Sequence, residues 1–409
     1  MILNTATGVL TARLLGAEGR GEQAAMIIWQ VLFAGMFSFG LPSSLVYNLN
    51  ARVEEQSKLF GAAILIGSLL GAVAGLIGFI LLPSWLTQYS PRVVREAQFL
   101  MIMTPVALLM LICRATLEAR GDYTGSNKLL LLIPLTTLIG LLALVQAKAF
   151  TPFNSALVYS FAGLPIFIRT FVVLWRYYLP SLKDFPASAR TLLNFGLRIY
   201  GADLLTVLAT QIDQVLIIGL LSPDAMGMYI VALNLSRVLW VVQSSLVMVL
   251  FTNSAGQPIA EVIKQTGQAA RIGVAITATA SLAMMACGGF VLHVLYGGEF
   301  TNAALLLNIL IVEAGFTGTT GILTTGFLAL DKPGAVTIVQ AVGLAVLVSL
   351  LLILIPKYGM YGVSIALLCA SIVRFALVRL CFRVLLKIPA PSLLLKREDF
   401  LTLRRALFG

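Results

Sequence analysis

The stretch LLGAEGRGEQAAM at Leu14–Met26 admits two readings, a phosphate-cradling loop or a turn between two apolar helices. Its glycines run G-x-x-G-x-G, but no Lys-Ser/Thr pair follows, so as a nucleotide loop it fails. As a turn it fits: Gly16, Gly19 and Gly21 permit tight backbone, and Glu18 or Glu22 suits the first turn of the next helix, where the helix dipole favours negative charge. A related stretch, LLSPDAMGMYIVA, returns 206 positions later at Leu220–Ala232. Leu14-Leu15 with Gly21 matches Leu220-Leu221 with Gly227, which points to a duplicated unit.

What surrounds the two turns is strongly apolar. Of 409 residues 59% are hydrophobic and 11% charged, and the mean hydropathy is +0.97. A soluble chain of this length carries about 25% charged residues. The apolar runs recur from end to end, which reads as an all-α polytopic membrane protein, because unpaired backbone cannot stay in lipid. A membrane β-barrel needs ten-residue alternating segments, and none is visible. The net charge of +11 is concentrated in short loops and the tail, as membrane topology requires, so it does not signal nucleic acid. Cys113, Cys287, Cys369 and Cys381 lie far apart with no C-x-x-C spacing, neither a metal site nor a disulfide framework. The single histidine, His293, reads as an interfacial residue near a helix end.

Twelve apolar segments are expected. The first half gives 1–15, 23–50, 58–83, 96–118, 127–147 and 153–177; the second gives 192–221, 227–252, 269–296, 302–329, 335–355 and 359–386. The domains expected are a six-helix bundle over 1–177, a linker at 178–191, a second bundle over 192–386 and a basic tail at 387–409. KREDFLTLRRALF in that tail has the composition of an amphipathic surface helix. Loops 51–57, 119–126, 178–191, 253–268 and 330–334 share one side with the tail and hold most of the Lys and Arg. Arg13, Arg20, Arg92, Arg95, Lys148 and Lys357 fall on the other. The asymmetry assigns the linker and C-terminus to the cytoplasm. SSLV recurs at Ser43–Val46 and Ser244–Val247, and LEARGD at Leu117–Asp122 answers LALDKP at Leu328–Pro333. With six helices per repeat, the repeats are parallel. Segment 1–15 is half as long as its counterpart and covers only about 22 Å of a ~30 Å core, so the first helix reads as truncated.

Two six-helix halves, the LLG-x-E-G-x-G turn, GLPSS late in the second helix and LEARGDY after the fourth resemble the MOP (multidrug/oligosaccharidyl-lipid/polysaccharide) transporter superfamily. The branch it looks most like is the Wzx-like polysaccharide flippases. That resemblance implies two pseudo-symmetric bundles around a central cavity and alternating access. It also implies transport of an undecaprenyl-diphosphate-linked glycan across a bacterial inner membrane for surface polysaccharide such as O-antigen, lipopolysaccharide or exopolysaccharide. No cofactor is implied beyond H+ or Na+ as coupling ion. The partners implied are the lipid-linked oligosaccharide, membrane lipids, a polysaccharide polymerase and other assembly proteins, with no nucleic acid. MATE drug exporters and lipid II flippases share the fold, so fold alone does not choose among them.

Charges inside the segments are the functional candidates, because a charge in hydrocarbon is costly. Arg114, Arg169 and Arg198 lie within about two turns of the cytoplasmic side and can snorkel. Arg237 and Arg374 sit near the middle of their segments. A guanidinium pairs phosphate oxygens bidentately. Arg237 and Arg374 are therefore the expected diphosphate ligands, with Arg198 and Arg114 at the cytoplasmic mouth. Asp203, Thr206, Thr210 and Asp213 form one stripe by their spacing, and Glu313, Thr317, Thr320 and Thr324 a second. Asn234, Arg237 and Ser244 share a face. These stripes read as cavity wall, the alternative being hydroxyls that hydrogen-bond between helices. The acids either pair the arginines or bind the coupling cation. Trp29, Trp240 and Tyr229 either stack on sugars or serve as packing and interfacial anchors.

No enzyme signature is present: no G-x-x-x-x-G-K-[ST], no H-E-x-x-H, and no loop large enough for a catalytic domain. The competing classes are a cation-coupled drug exporter, a lipid II flippase and a non-transporting scaffold of glycan assembly. The first half lacks an acidic residue deep in a helix, a departure from MATE exporters with an aspartate in the first helix.

Overall fold

The computed structural model describes residues 2–254 and 257–395; the amphipathic tail stretch expected from Lys396 onward lies outside them. Among the described residues every regular element is helical. In chain order they are α1 Ile2–Met36, α2 Leu41–Ala51, α3 Gln56–Trp85, α4 Pro91–Leu100, α5 Thr104–Ala119, α6 Tyr123–Gln146, α7 Pro152–Phe161 and α8 Leu164–Tyr178. Then follow α9 Phe185–Leu220, α10 Pro223–Ser236, α11 Trp240–Ser254, α12 Ile259–Val291, α13 Ala304–Ala329 and α14 Pro333–Leu385. Polar side chains mark several starts. Ser90 accepts from the amide of Val93, Asp122 from Gly125 and Thr151 from Asn154. Each such cap is worth about 1 kcal/mol.

Eight of the described spans are long and apolar enough to cross a membrane, and two further pairs do so if each is one bent span. Two of the ten hide a turn. Gly16, at φ 70°, breaks α1 where the Leu14–Met26 reading places a turn. Gly19 and Gly21, in contrast, continue the helix from Ala17. Gly359, at φ 55°, breaks α14. A straight 53-residue helix would be about 80 Å long. Here a Cβ on Gly362 would sit 2.3 Å from the Leu354 carbonyl, and Lys332 Nζ donates to the Leu385 carbonyl at 3.4 Å. The two arms therefore run back along one another as a hairpin. With both turns counted, the twelve expected segments all have helices.

Breaks inside the segments were not anticipated. α1 and α2 meet at 45° across Phe37–Gly40. The carbonyl that this bend frees at Met36 accepts from the Tyr200 hydroxyl, which keeps a broken helix tolerable in lipid. A 3-10 turn at Arg237–Leu239 separates α10 from α11, and α7 ends one turn before α8 begins.

The chain packs as two compact units, Met1–Gly227 and Met228–Gly409. Helix α9, which the repeat assigns to the second half, packs within the first. There, Leu41, Leu45, Phe60, Ile112, Leu174 and Leu192 anchor one core, and glycines on α3 admit α5: a Cβ on Gly71 would lie 2.5 Å from Pro105 Cα. Small residues at such crossings are how membrane helices gain dispersion contacts that lipid cannot offer. Two echoing turns also meet in this unit. A Cβ on Gly21 would fall 1.7 Å from the Pro223 carbonyl oxygen, and one on Gly227 would fall 1.8 Å from that of Ala17. Pro223 and Gly227 stand 206 positions after Ala17 and Gly21. The contact is thus reciprocal, each copy's glycine facing the other copy's carbonyl. In the second unit Leu250, Ile322, Phe327, Val339, Val378 and Phe382 form the core, and Ile388, Ala390 and Leu393 fold back onto it.

Candidate functional site

In the first unit, α2 is fastened along α9. Ser44 Oγ donates to the Leu192 carbonyl at 2.7 Å and Ser43 Oγ to Asp203 Oδ2 at 3.1 Å. The Tyr47 and Phe195 rings stack at 4.2 Å. Gly40, at φ 68°, brings its Cα so close to α9 that a Cβ would meet the Gly196 carbonyl at 2.3 Å. Toward the α9 N-terminus the two helices open into a cleft of about 600 Å³, whose polar lining is Asn48, Arg52, Arg190, Thr191, Asn194 and Arg198. Arg190, Asn194 and Arg198 follow at intervals of four and so share one face of α9. No carboxylate is among the lining residues. Arg52 bonds Glu55 at 3.2 Å, both being exposed; among the described residues Arg190 and Arg198 have no ion-pair partner. Just beyond, Lys58 Nζ reaches Asp184 Oδ2 at 2.6 Å, and that ammonium holds the Asp184 carboxyl below the usual carboxylate range.

Of the two arginines expected at the mouth, Arg198 lines this cleft. Arg114 does not: its Nε bonds Glu118 Oε1 at 2.9 Å, an oxygen that Ser126 also donates to. Further along α9, Thr206 and Thr210 are exposed and donate to carbonyls of their own helix, Ala202 and Thr206. Asp213 is 3% exposed and lies about 15 Å along the helix from Asp203. The stripe therefore presents two separate acids rather than one cluster. Among the described residues no three His, Cys, Asp or Glu side chains are placed to hold a metal ion.

In the second unit α13 and the α14 hairpin build a different constellation. Glu313, 8% exposed, accepts from Thr317. The Arg374 stem crosses Gly343 so closely that a Cβ there would lie 2.3 Å from its Cγ. Thr320 and Thr324 donate to carbonyls of α13 itself. Arg237 opens the 3-10 turn after α10, its guanidinium 5.3 Å from the Trp240 ring centroid and its buried Nε without a partner among the described residues. Asn234 is half-buried one turn earlier, and Ser244 is exposed. Of the aromatic candidates, Trp29 packs edge-on against Trp85 at 6.3 Å and Tyr229 is fully buried, so both are packing residues; Trp240 remains partly exposed.

Several groups escaped the sequence reading. Gln243 is buried in a notch over Gly318, donating to Thr277 Oγ1 at 3.3 Å and the Ala314 carbonyl at 3.2 Å. Arg20, assigned to a turn, is 5% exposed, bonded to Gln23 and 6.0 Å from the Tyr159 centroid. Arg52, Arg190 and Asn194 were overlooked although the four-residue spacing of 190, 194 and 198 was available.

Comparison with known proteins places these features in context. The family described as polysaccharide biosynthesis protein matches residues 1–251, more than half of the chain. No curated protein matches it in sequence. In structure the chain is similar to an inward-facing multidrug resistance MATE family transporter of the MOP superfamily, with TM-score 0.76 and 14% identity over 95% of this chain and 96% of that one. It is also similar to the lipid II flippase MurJ in an inward closed conformation, with TM-score 0.74 and 16% identity over 99% and 88%. A MOP superfamily transporter from Pyrococcus furiosus, described as having a binding pocket of reversed polarity, gives 0.62 and 15% over 95% and 93%. Identities this low speak for the fold, which is that of MOP superfamily transporters.

Proposed function

We infer function from family and charge together: this chain belongs to the polysaccharide biosynthesis protein family, it is a multi-pass membrane protein of the transporter class rather than an enzyme, and its intramembrane charges suit an anionic cargo. The proposal is a flippase that moves an undecaprenyl-diphosphate-linked oligosaccharide across the bacterial inner membrane by alternating access, with the C-terminus cytoplasmic. One observation carries the choice of cargo. Arg374 and Arg237 are among the arginines that the second unit keeps within spans, and the buried Nε of Arg237 has no partner among the described residues. A buried donor left without a partner is costly, and a diphosphate with bidentate oxygens relieves that cost. A cationic drug would deepen it. Asp203, Asp213 and Glu313 serve the coupling ion, H+ or Na+. The polymerase and other assembly proteins that use the exported glycan are the functional partners.

The test is glycan export in cells carrying Arg237→Ala or Arg374→Ala, with protein insertion measured alongside. Export is expected to be lost while the protein still reaches the membrane. Wild-type export in both variants would refute the role given to the two arginines, and efflux of cationic dyes that depends on Asp203, Asp213 or Glu313 would transfer the protein to the drug-exporter reading.

A further inference from the structure

We propose that the α2–α9 cleft is a loading site for a polyprenyl diphosphate, distinct from the Arg237 and Arg374 positions and used before transport. The proposal rests on the lipid-linked cargo inferred above and adds where and how the headgroup is first held.

The cleft has the charge for it. Three guanidiniums and two carboxamides line it, no carboxylate does, and among the described residues Arg190 and Arg198 are not engaged in ion pairs. Arg190 and Arg198 are eight residues apart, about 12 Å along α9, with Asn194 between them. Such a ladder exceeds the reach of one phosphate oxygen pair but allows two linked phosphates to be gripped from both ends, each by a planar fork of donors.

The shape adds the lipid. The stacked Tyr47 and Phe195 rings form a wall shared with a second hollow of about 570 Å³, whose other lining includes Val46, Ala51 and Ile199. One wall therefore divides a cationic chamber from a largely apolar one. A free diphosphate or nucleotide would leave the second chamber unused. An amphiphile with its diphosphate among the arginines and its first isoprene units beyond the rings uses both. Aromatic residues with a polar edge are suited to that boundary. The alternative source of the same chemistry is an anionic phospholipid headgroup, which a basic membrane surface attracts without specificity.

The experiment uses the full chain in nanodiscs of phosphatidylcholine and measures binding of four probes: undecaprenyl diphosphate, undecaprenyl monophosphate, inorganic pyrophosphate and phosphatidylglycerol. The expected order is diphosphate lipid first, with the monophosphate, pyrophosphate and phosphatidylglycerol each weaker by about tenfold or more. R190Q/R198Q is expected to lose most of the preference for the diphosphate lipid. R190K/R198K, which keeps the charge but not the fork, should fall between them. Phe195→Leu should weaken the lipid probe and leave pyrophosphate unchanged. Phosphatidylglycerol competing on equal terms overturns the proposal in favour of a general anionic-lipid surface, and pyrophosphate binding as tightly as the lipid overturns the two-chamber part. The two levels separate cleanly. If wild type binds undecaprenyl diphosphate and R190Q/R198Q binds it equally well, the loading site falls and the flippase stands; if wild type binds none, the cargo reading itself falls.

Discussion

The reciprocal crossing of the two echoing turns gives a sharply quantitative expectation. Gly21→Ala places a methyl 1.7 Å from the Pro223 carbonyl oxygen and 2.6 Å from its carbon. Carbon–oxygen contacts settle near 3.3 Å, so the helices must part by about 1.6 Å at this point. No side chain can swing away, because the obstacle is backbone. Overpacking of this kind costs about 1–3 kcal/mol, and a backbone obstacle places it at the upper end. Alanine's better helix propensity returns about 1 kcal/mol, leaving a net loss of about 2 kcal/mol. Gly227→Ala meets the Ala17 carbonyl at 1.8 Å and should cost the same within error. The double variant is the decisive one. Helices already parted to admit one methyl have room for the second, so its cost should fall well short of the sum. The assay is unfolding of the purified protein in mixed detergent, read as a double-mutant cycle. A single variant within 0.5 kcal/mol of wild type, or strict additivity, would refute the reasoning.

Other expectations follow from the same geometry. Gly343→Ala pushes on Arg374 Cγ and Cδ, 2.3 and 2.4 Å from the added methyl; those atoms can swing, so export should drop while unfolding shifts by under about 1 kcal/mol, and unchanged export would argue against a positioned Arg374. Gly318→Ala evicts the Gln243 amide, whose side-chain atoms lie 1.7 Å from the new Cβ, stranding buried hydrogen-bonding groups at a cost of about 1–3 kcal/mol; a stability change near zero contradicts this. Gly359→Ala forces an L-residue into a left-handed turn at about 1–2 kcal/mol, testable by the same unfolding assay. For Asp184 the folded carboxyl is depressed by Lys58, so the unfolded chain binds the proton more readily. The pair's contribution is present above the ordinary carboxylate pKa of about 3.9 and fades as pH falls through the lower, folded value. Asp184→Asn should remove that acid dependence of unfolding, and an identical pH profile would refute the linkage.

The apolar segments were legible because hydrocarbon length dictates them, and the turns at Gly16 and Gly359 because polar or Pro-Gly punctuation survives there. The bend at Phe37–Gly40 was not, since FSFG is as apolar as its flanks and the group that satisfies Met36, the Tyr200 hydroxyl, is 164 residues away. Depth in a segment singled out Arg374, but the glycine that accommodates its stem lies on the other arm of the hairpin, beyond any local pattern. Arg114 was readable as a charge, and Glu118 four residues on was equally readable as its neutraliser. The threonine stripes looked like cavity wall or interhelical glue. Thr206 and Thr210 on α9 and Thr320 and Thr324 on α13 bond back to their own helices, and Thr317 bonds a carboxylate on the same helix. Spacing reports a face, not what the face touches. Arg190 was counted only for topology because it closes a linker, which hid its place in a ladder.

The α14 hairpin bears on how this protein's sidedness is measured. Lys332 meets Leu385 at its open end, so the tip with Lys357 lies a full bilayer away from both. A map that treats Pro333–Leu385 as one continuous crossing counts one passage where there are two, and parity inverts for everything downstream. Labels on Lys357 and Lys387 must therefore react from opposite compartments, whichever compartment each proves to be.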